Sequence, residues 1–227
     1  MNFFNKLKLF IKINPWKTIY FNFRYFKFKE MLKFPVFIYW HTVLYRMNGK
    51  IIIDAPIKTG MLHIGNRGLE ILDRKYDRTI WSCSGTLVVK GGVNHISRGC
   101  KICIDEDGIL TLGKNIMVTG NSEIVCSKEI TFGSDCLLSW DILVMDNDFH
   151  DIVDNKGQII NAPKPISIGN HVWVGCRNTI LKGTIIADNT IVAAGSVVTR
   201  CIKETDCIIG GVGKSLEVIK HDVKWKI

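Results

Sequence analysis

The segment Asp146-Asn147-Asp148-Phe149-His150 puts two carboxylates and an imidazole within five positions. Histidine is the side chain best poised near pH 7 to take a proton from a hydroxyl, so His150 is a candidate general base. A carboxylate on the other ring nitrogen would fix its tautomer and stabilise the imidazolium. Alternation along an extended segment gives Asp148 and His150 the same side, with Asp146 also within reach. Asp148 serves equally well as a turn residue of the loop, and the residues alone allow His150 to be a surface histidine with no role. His41, His63, His95 and His221 have no motif around them, and structural roles are expected. Cys100 and Cys103 form a single C-x-x-C without a second pair, so no metal site is expected.

These residues must be positioned by the elements around them, and here the chain is periodic. Ile168, Val174, Ile180, Ile186, Val192 and Val198 recur at every sixth position. Four places after each stand Val172, Asn178, Thr184, Thr190, Ser196 and Ile202, mostly small or polar. Neither a helix nor an alternating strand has this period, whereas three strand-and-turn units per coil of a parallel β-helix do. Leu112, Val118 and Ile124 keep the spacing, and Phe132, Leu138 and Val144 resume it after a two-residue insertion. Ile53, Ile64, Leu87, Ile96 and Ile102 fit in pieces, which predicts irregular first coils. The β-helix is expected over residues 51–208, roughly seven coils, with a loop at 145–167 and a C-terminal extension at 209–227. Long excursions from a solenoid collect on one face and usually carry function, which points back to His150.

Residues 1–50 hold ten Lys or Arg and a single Glu, and with them the whole formal charge of +9. Fifteen aromatics share that segment, interleaved with the lysines. The expectation is helical capping of the first coil, with contact to an anionic membrane surface as an added role. Nucleic acid is not expected as a partner, because no binding motif accompanies the charge. Phe34–Tyr45, the longest stretch there without a formal charge, is too short to span a bilayer. No signal-peptide pattern is present, so the expected location is cytoplasmic, peripheral at the inner membrane face, with the eight cysteines reduced. Those cysteines are expected as small apolar side chains at coil corners or in the interior.

The run Ile166-Ser-Ile-Gly-Asn-His-Val-Trp-Val-Gly-Cys176, with Ile180-Leu-Lys-Gly-Thr-Ile-Ile through Gly195-Ser-Val-Val-Thr-Arg200, resembles the hexapeptide-repeat acyltransferases. The branch it resembles is that of the maltose, galactoside and serine O-acetyltransferases. Ser139-Trp140-Asp141, Asp146 to His150 and the Lys17-Thr18-Ile19-Tyr20-Phe21-Asn22-Phe23 segment look like sugar O-acetyltransferases of capsule and lipopolysaccharide clusters. The resemblance implies a left-handed parallel β-helix, a homotrimer, and acetyl-CoA held in a groove between subunits. The turn Gly210-Gly-Val-Gly lacks the Pro-Ala pair that family members carry after the last coil.

The implied activity is acetyl-CoA-dependent transfer of an acetyl group to a sugar hydroxyl of a surface-polysaccharide precursor or related glycan. His150 corresponds to the family's catalytic histidine, with Asp148 orienting it. Trp173 stands at the W of V-W-I-G and is implied to line the pantetheine groove. Ala194 and Gly195 offer close backbone approach to the pantetheine amides, and the backbone N–H of Gly175 is the candidate oxyanion donor. Thr199 and Arg200 close the last regular coil, with Arg200, Lys214 and Lys220 as phosphate-side candidates. His171 is read as a coil-surface or groove residue. N-acyl transfer to an amino-sugar nucleotide and a non-catalytic β-helix scaffold are the alternatives. A zinc hydratase on the same fold would need three histidine ligands, two of them close in sequence, and this chain has no such spacing.

Overall fold

The computed structural model describes residues 12–66, 68–73 and 75–226. The part of the expected capping segment before Lys12 lies outside them. Among the described residues the first twenty-one of twenty-three short strands wind in sequence around three faces, seven to each, making seven triangular coils, and the last two extend face one to nine strands. On face one, Leu138, Val174, Val192 and Ile209 stack in register. On face two the column is Ile124, Val144, Ile180 and Val198. On face three it is Phe132, Ile168, Ile186 and Ile202. Every one of these side chains is buried, so six successive hexad positions trace two turns around the prism. Each contributes about 1.5–3 kcal/mol of burial that an isolated coil could not provide.

The small polar residues four places on sit buried at the corners and pair the backbone there. Asn178 donates to the Gly175 carbonyl and accepts from the Ser196 amide, both at 2.7 Å. Thr184 donates to the Val198 carbonyl at 2.9 Å. Cys100, Cys136 and Cys207 take the same position, and their thiols point to the carbonyls of Thr119, Gly169 and Glu204. All eight cysteines are free. Burial pushes the Cys100 thiol up to about 12, so it stays protonated at neutral pH. The corner itself needs left-handed backbone, which Asn115, Asn121, Asp135, Asp141 and Asn189 adopt. Asn and Asp tolerate that region better than other side chains with a Cβ.

The coils start earlier than the boundary expected at residue 51. Val36–Ile38 (β1), Thr42–Arg46 (β2) and Lys50–Ile53 (β3) form the first coil, pairing with the strands at Leu62–Asn66 (β4), Thr79–Cys83 (β5) and Thr86–Val89 (β6). Capping therefore falls to a shorter element, the helix Pro15–Tyr25 (α1). Asn14 caps it by accepting from the Lys17 amide, and Pro15 begins the first turn. Its buried face carries Thr18, Phe21 and Asn22. Asn22 donates to the Val36 carbonyl and accepts from the Val36 amide, while Thr18 does the same for Ile38. Two side chains one helical turn apart thus satisfy a strand edge that the solenoid would leave open. Phe21 packs against Trp81, whose indole N–H donates to the Tyr25 hydroxyl. At the other end, Ile208–Gly210 (β22) pairs antiparallel with Glu217–Lys220 (β23) and closes face one.

Candidate active site

The long loop leaves face two after Leu143–Met145 (β14) and rejoins at Ile166–Ile168 (β15), on the edge between faces two and three. Its root is Asp146, fully buried, whose carboxylate accepts from the amides of Ser127 at 2.8 Å, Lys128 at 2.9 Å and Glu129 at 2.7 Å. Asp146 is therefore an anchor that has no free oxygen to orient an imidazole. Asp148 accepts from the Lys182 ammonium and, at 2.9 Å, from the Asn161 side-chain amide. Lys182 also donates to the Asn161 carbonyl, and Asn161 donates to the His150 carbonyl at 2.8 Å. The hydrogen bonds from Lys182 and Asn161 hold the Asp148 carboxyl below its ordinary value of 3.8.

The expected pairing of Asp148 with the His150 ring is not formed. The imidazole is exposed and hydrogen-bonds to none of the described residues, while Asp148 is turned inward to Lys182. What the tie holds is the backbone that carries His150. Beyond it, residues 152–160 form a small hairpin, with Ile160 donating to the Ile152 carbonyl and Val153 bridging to Ile159. Phe149, Ile152, Val153, Ile159 and Ile160 are all 53–62% exposed, an apolar arm with none of the described residues covering its outer side.

The other expected residues lie one edge away. Ser139-Trp140-Asp141, Gly175-Cys176-Arg177 and Ala193-Ala194-Gly195 stack along the edge between faces one and two. Trp173 lies in the strand leading into it, half-buried, and donates from its indole to the Ser139 hydroxyl at 3.2 Å. Ala194 and Gly195 are exposed, and the space beside Gly195 is empty to 4 Å. Gly175 is instead clamped, since a Cβ there would lie 2.8 Å from the Ala194 nitrogen. Its own amide donates to the Val192 carbonyl at 2.8 Å. The oxyanion role expected for that amide is therefore ruled out, because the ladder between coils already uses the proton.

Thr199 and Arg200 sit exposed on the same edge as the loop, and Arg200 donates to the Leu216 carbonyl. That leaves most of its five N–H donors available. Lys214 and Lys220 are exposed, in a short 3-10 turn and in β23. Within one chain, then, His150, Thr199 and Arg200 share one edge, and Trp173, Gly175, Ala194 and Gly195 belong to the next.

Three participants escape the motif reading. Lys182 and Asn161 hold the loop, yet Leu181-Lys182-Gly183 reads only as a coil corner. Trp225 stacks on His171 with ring centroids 4.4 Å apart and lies 6.0 Å from Trp173. It donates to the His171 carbonyl at 2.9 Å, so the C-terminal segment covers part of face one beside Trp173. The nearness of a residue 52 positions along the chain is invisible to a local pattern. Among the described residues no cluster of three or more metal-ligating side chains occurs.

The bacterial transferase hexapeptide (six repeats) family matches residues 165–200. The polysialic acid O-acetyltransferase of Escherichia coli O1:K1 / APEC is 28% identical over 116 residues, which is 50% of this chain and 37% of that protein. The galactoside O-acetyltransferase of Escherichia coli strain K12 is 32% identical over 93 residues, 40% of this chain and 45% of that protein. The chain thus spans less than half the length of these two relatives. The solved structure of the polySia-specific acetyltransferase NeuO superposes with a TM-score of 0.54 at 23% identity, covering 82% of this chain and 72% of that one. Hexads, corners and this likeness converge: the chain carries the bacterial transferase hexapeptide repeat and folds as a left-handed parallel β-helix.

Proposed function

We propose that this chain is an acetyl-CoA-dependent O-acetyltransferase that acts on a sugar hydroxyl of a surface glycan. The observation that carries this reading is the exposed His150 ring on a loop pinned at both Asp146 and Asp148. The neutral imidazole takes the acceptor hydroxyl proton as the oxygen attacks the thioester carbonyl. The tetrahedral intermediate then expels CoA as a thiolate, which recovers that proton from the imidazolium. The donor's pantetheine arm fits the neighbouring edge, where exposed Ala194 and Gly195 admit it beside Trp173, while Arg200 on the loop's own edge and Lys214 and Lys220 near the C-terminus offer charge to its phosphates. The names of the two relatives, which concern polysialic acid and galactosides, support a sugar acceptor.

Because the two halves of the site occupy different edges of one prism, a second copy is the natural means of joining them. The apolar arm at 149–160 supplies a surface that such a copy would cover. A closed homotrimer satisfies both, with one site at each of three equivalent interfaces.

His150→Ala should lower kcat at least about 100-fold with CoA affinity nearly unchanged. The assay is acetyl-CoA consumption against sugars, lipid-linked glycans and amino-sugar nucleotides, and acylation confined to amino groups would replace O-transfer with N-transfer. Wild-type turnover in the variant would remove His150 from the mechanism.

A second reading concerns α1. Its outer face carries Trp16, Ile19, Tyr20 and Phe23, all exposed, where a surface helix should be polar. Lys27, Lys29 and Lys33 follow directly, and aromatic rings beside lysines suit the headgroup region of an anionic leaflet. None of the helices among the described residues is long and apolar enough to cross a membrane, so the contact proposed is peripheral, at the cytoplasmic face. The protein should sediment with anionic vesicles at low salt and leave them as salt rises. Indifference to vesicles at every salt concentration would reduce the helix to a cap.

A further inference from the structure

A cavity of about 440 Å³ opens between the N-terminal residues and the first three coils, far from the His150 loop. Its lining includes Lys12, Tyr39, Trp40, His41, Asn66 and Arg98, and none of the described lining residues is acidic. Lys17 adds a further cation close by, its ammonium tied to the carbonyls of Trp40 and Thr42 at 3.1 and 2.7 Å. Burial first, then the Arg98 and Lys17 charges, hold His41 below its ordinary value. Asn66 is only 7% exposed, yet its side-chain oxygen has no hydrogen-bond partner. The other end of the amide faces the His95 ring at 2.5 Å, and His95 in turn lies tilted against His63, ring centroids 4.8 Å apart, with His63 bonded to the Tyr39 hydroxyl. Flipping the amide would only exchange which end is left over. An orphaned buried amide costs about 1–3 kcal/mol, which a ligand hydroxyl or amide could recover.

We propose that this cavity binds a carboxylate-bearing sugar unit of the acceptor glycan, an anchoring subsite apart from the site of transfer. Arg98 and Lys12 meet the carboxylate, the 51% exposed indole of Trp40 offers a flat apolar face to the sugar ring, and Asn66 reads a polar substituent. The volume exceeds what an inorganic anion fills and lies in the range of small-molecule pockets. Coils repeat at about 4.8 Å, so the cavity lies roughly 10–20 Å along the axis from the coil that bears the loop. A single sugar cannot reach both places. The acceptor engaged here is therefore an acidic oligomer or polymer. This inference rests on the glycan acetyltransferase reading for its biological sense, but its test is a binding measurement that stands alone.

Calorimetry on the full chain should show oligomeric N-acetylneuraminic acid or oligogalacturonate binding at least tenfold more tightly than neutral maltooligosaccharides. Lys12→Glu and Trp40→Ala should each weaken the acidic oligomers at least tenfold. Both side chains reach solvent, so circular dichroism should be unchanged. In the acetyl-transfer assay the same variants should raise KM for long acidic acceptors and leave kcat and short neutral acceptors alone. Equal binding of acidic and neutral oligomers, or binding untouched by both variants, would overturn the subsite. So would competition by inorganic phosphate as strong as by the acidic oligomer, or binding of anionic vesicles but of no soluble acidic glycan. Tight, variant-sensitive binding with no acetyl transfer to any acceptor would retain the subsite and remove the proposed activity.

Discussion

Lys182 reaches Asp148 from the coil after the loop, and Asn161 closes the triangle by meeting both. A carboxylate two residues before a histidine suggests direct pairing, but here the charge is spent on fixing the loop. The consequence is measurable. Asp148→Asn and Lys182→Met should each lower kcat by about tenfold, and the double variant should be no worse than either, because residues sharing one interaction are non-additive. Independent, multiplying losses would show that Asp148 has a separate role at the imidazole. The melting temperature should barely change, since partly exposed pairs are worth about 0–1 kcal/mol. Asp148 titrates lower in the folded chain than its ordinary 3.8. The tie's contribution is therefore fully present above that value and is lost as pH falls below it.

At the scale of the element, α1 matters because a solenoid has ends. Thr18 and Asn22 are polar residues on the buried face of a helix, which binary patterning alone marks as a fault. They are there because β1 presents unpaired amides and carbonyls, and these side chains answer them. Asn22→Ala strands the Val36 amide and carbonyl together and should destabilise the chain by about 2–4 kcal/mol in a denaturant melt. A change under about 0.5 kcal/mol would mean that water replaces the side chain freely. Thr18→Val, which preserves shape, should isolate the same effect at Ile38.

For the whole molecule, the 25.7 kDa chain leaves an apolar arm uncovered and two halves of a site on different edges. Sedimentation should find three chains per particle. If the proposed trimer joins the two edges, Ile152→Asp together with Ile160→Asp should yield a folded smaller species that has lost activity. A wild-type monomer with full activity would refute the assembly and require the loop to act within its own chain.

The hexads were legible from residue types alone, since one coil repeats the same three inward positions and burial selects aliphatic side chains at each. From Leu112 to Val198 every periodic aliphatic residue is buried in the structure. The loop was equally legible, being the place where the period stops. The first coil was not. Val36–Ile38 and Thr42–Arg46 lie within a run of aromatics and lysines that also suits a helix, and parallel pairing with residues 26 or more positions away decides the matter. The same distinction runs through the site. Periodicity and motif nominate His150, because they depend on neighbours in the chain. They cannot reveal that the Val192 carbonyl accepts from the Gly175 amide, that Lys182 donates to Asp148, or that Trp225 lies on His171, because those partners are brought together only when one coil is laid upon the next.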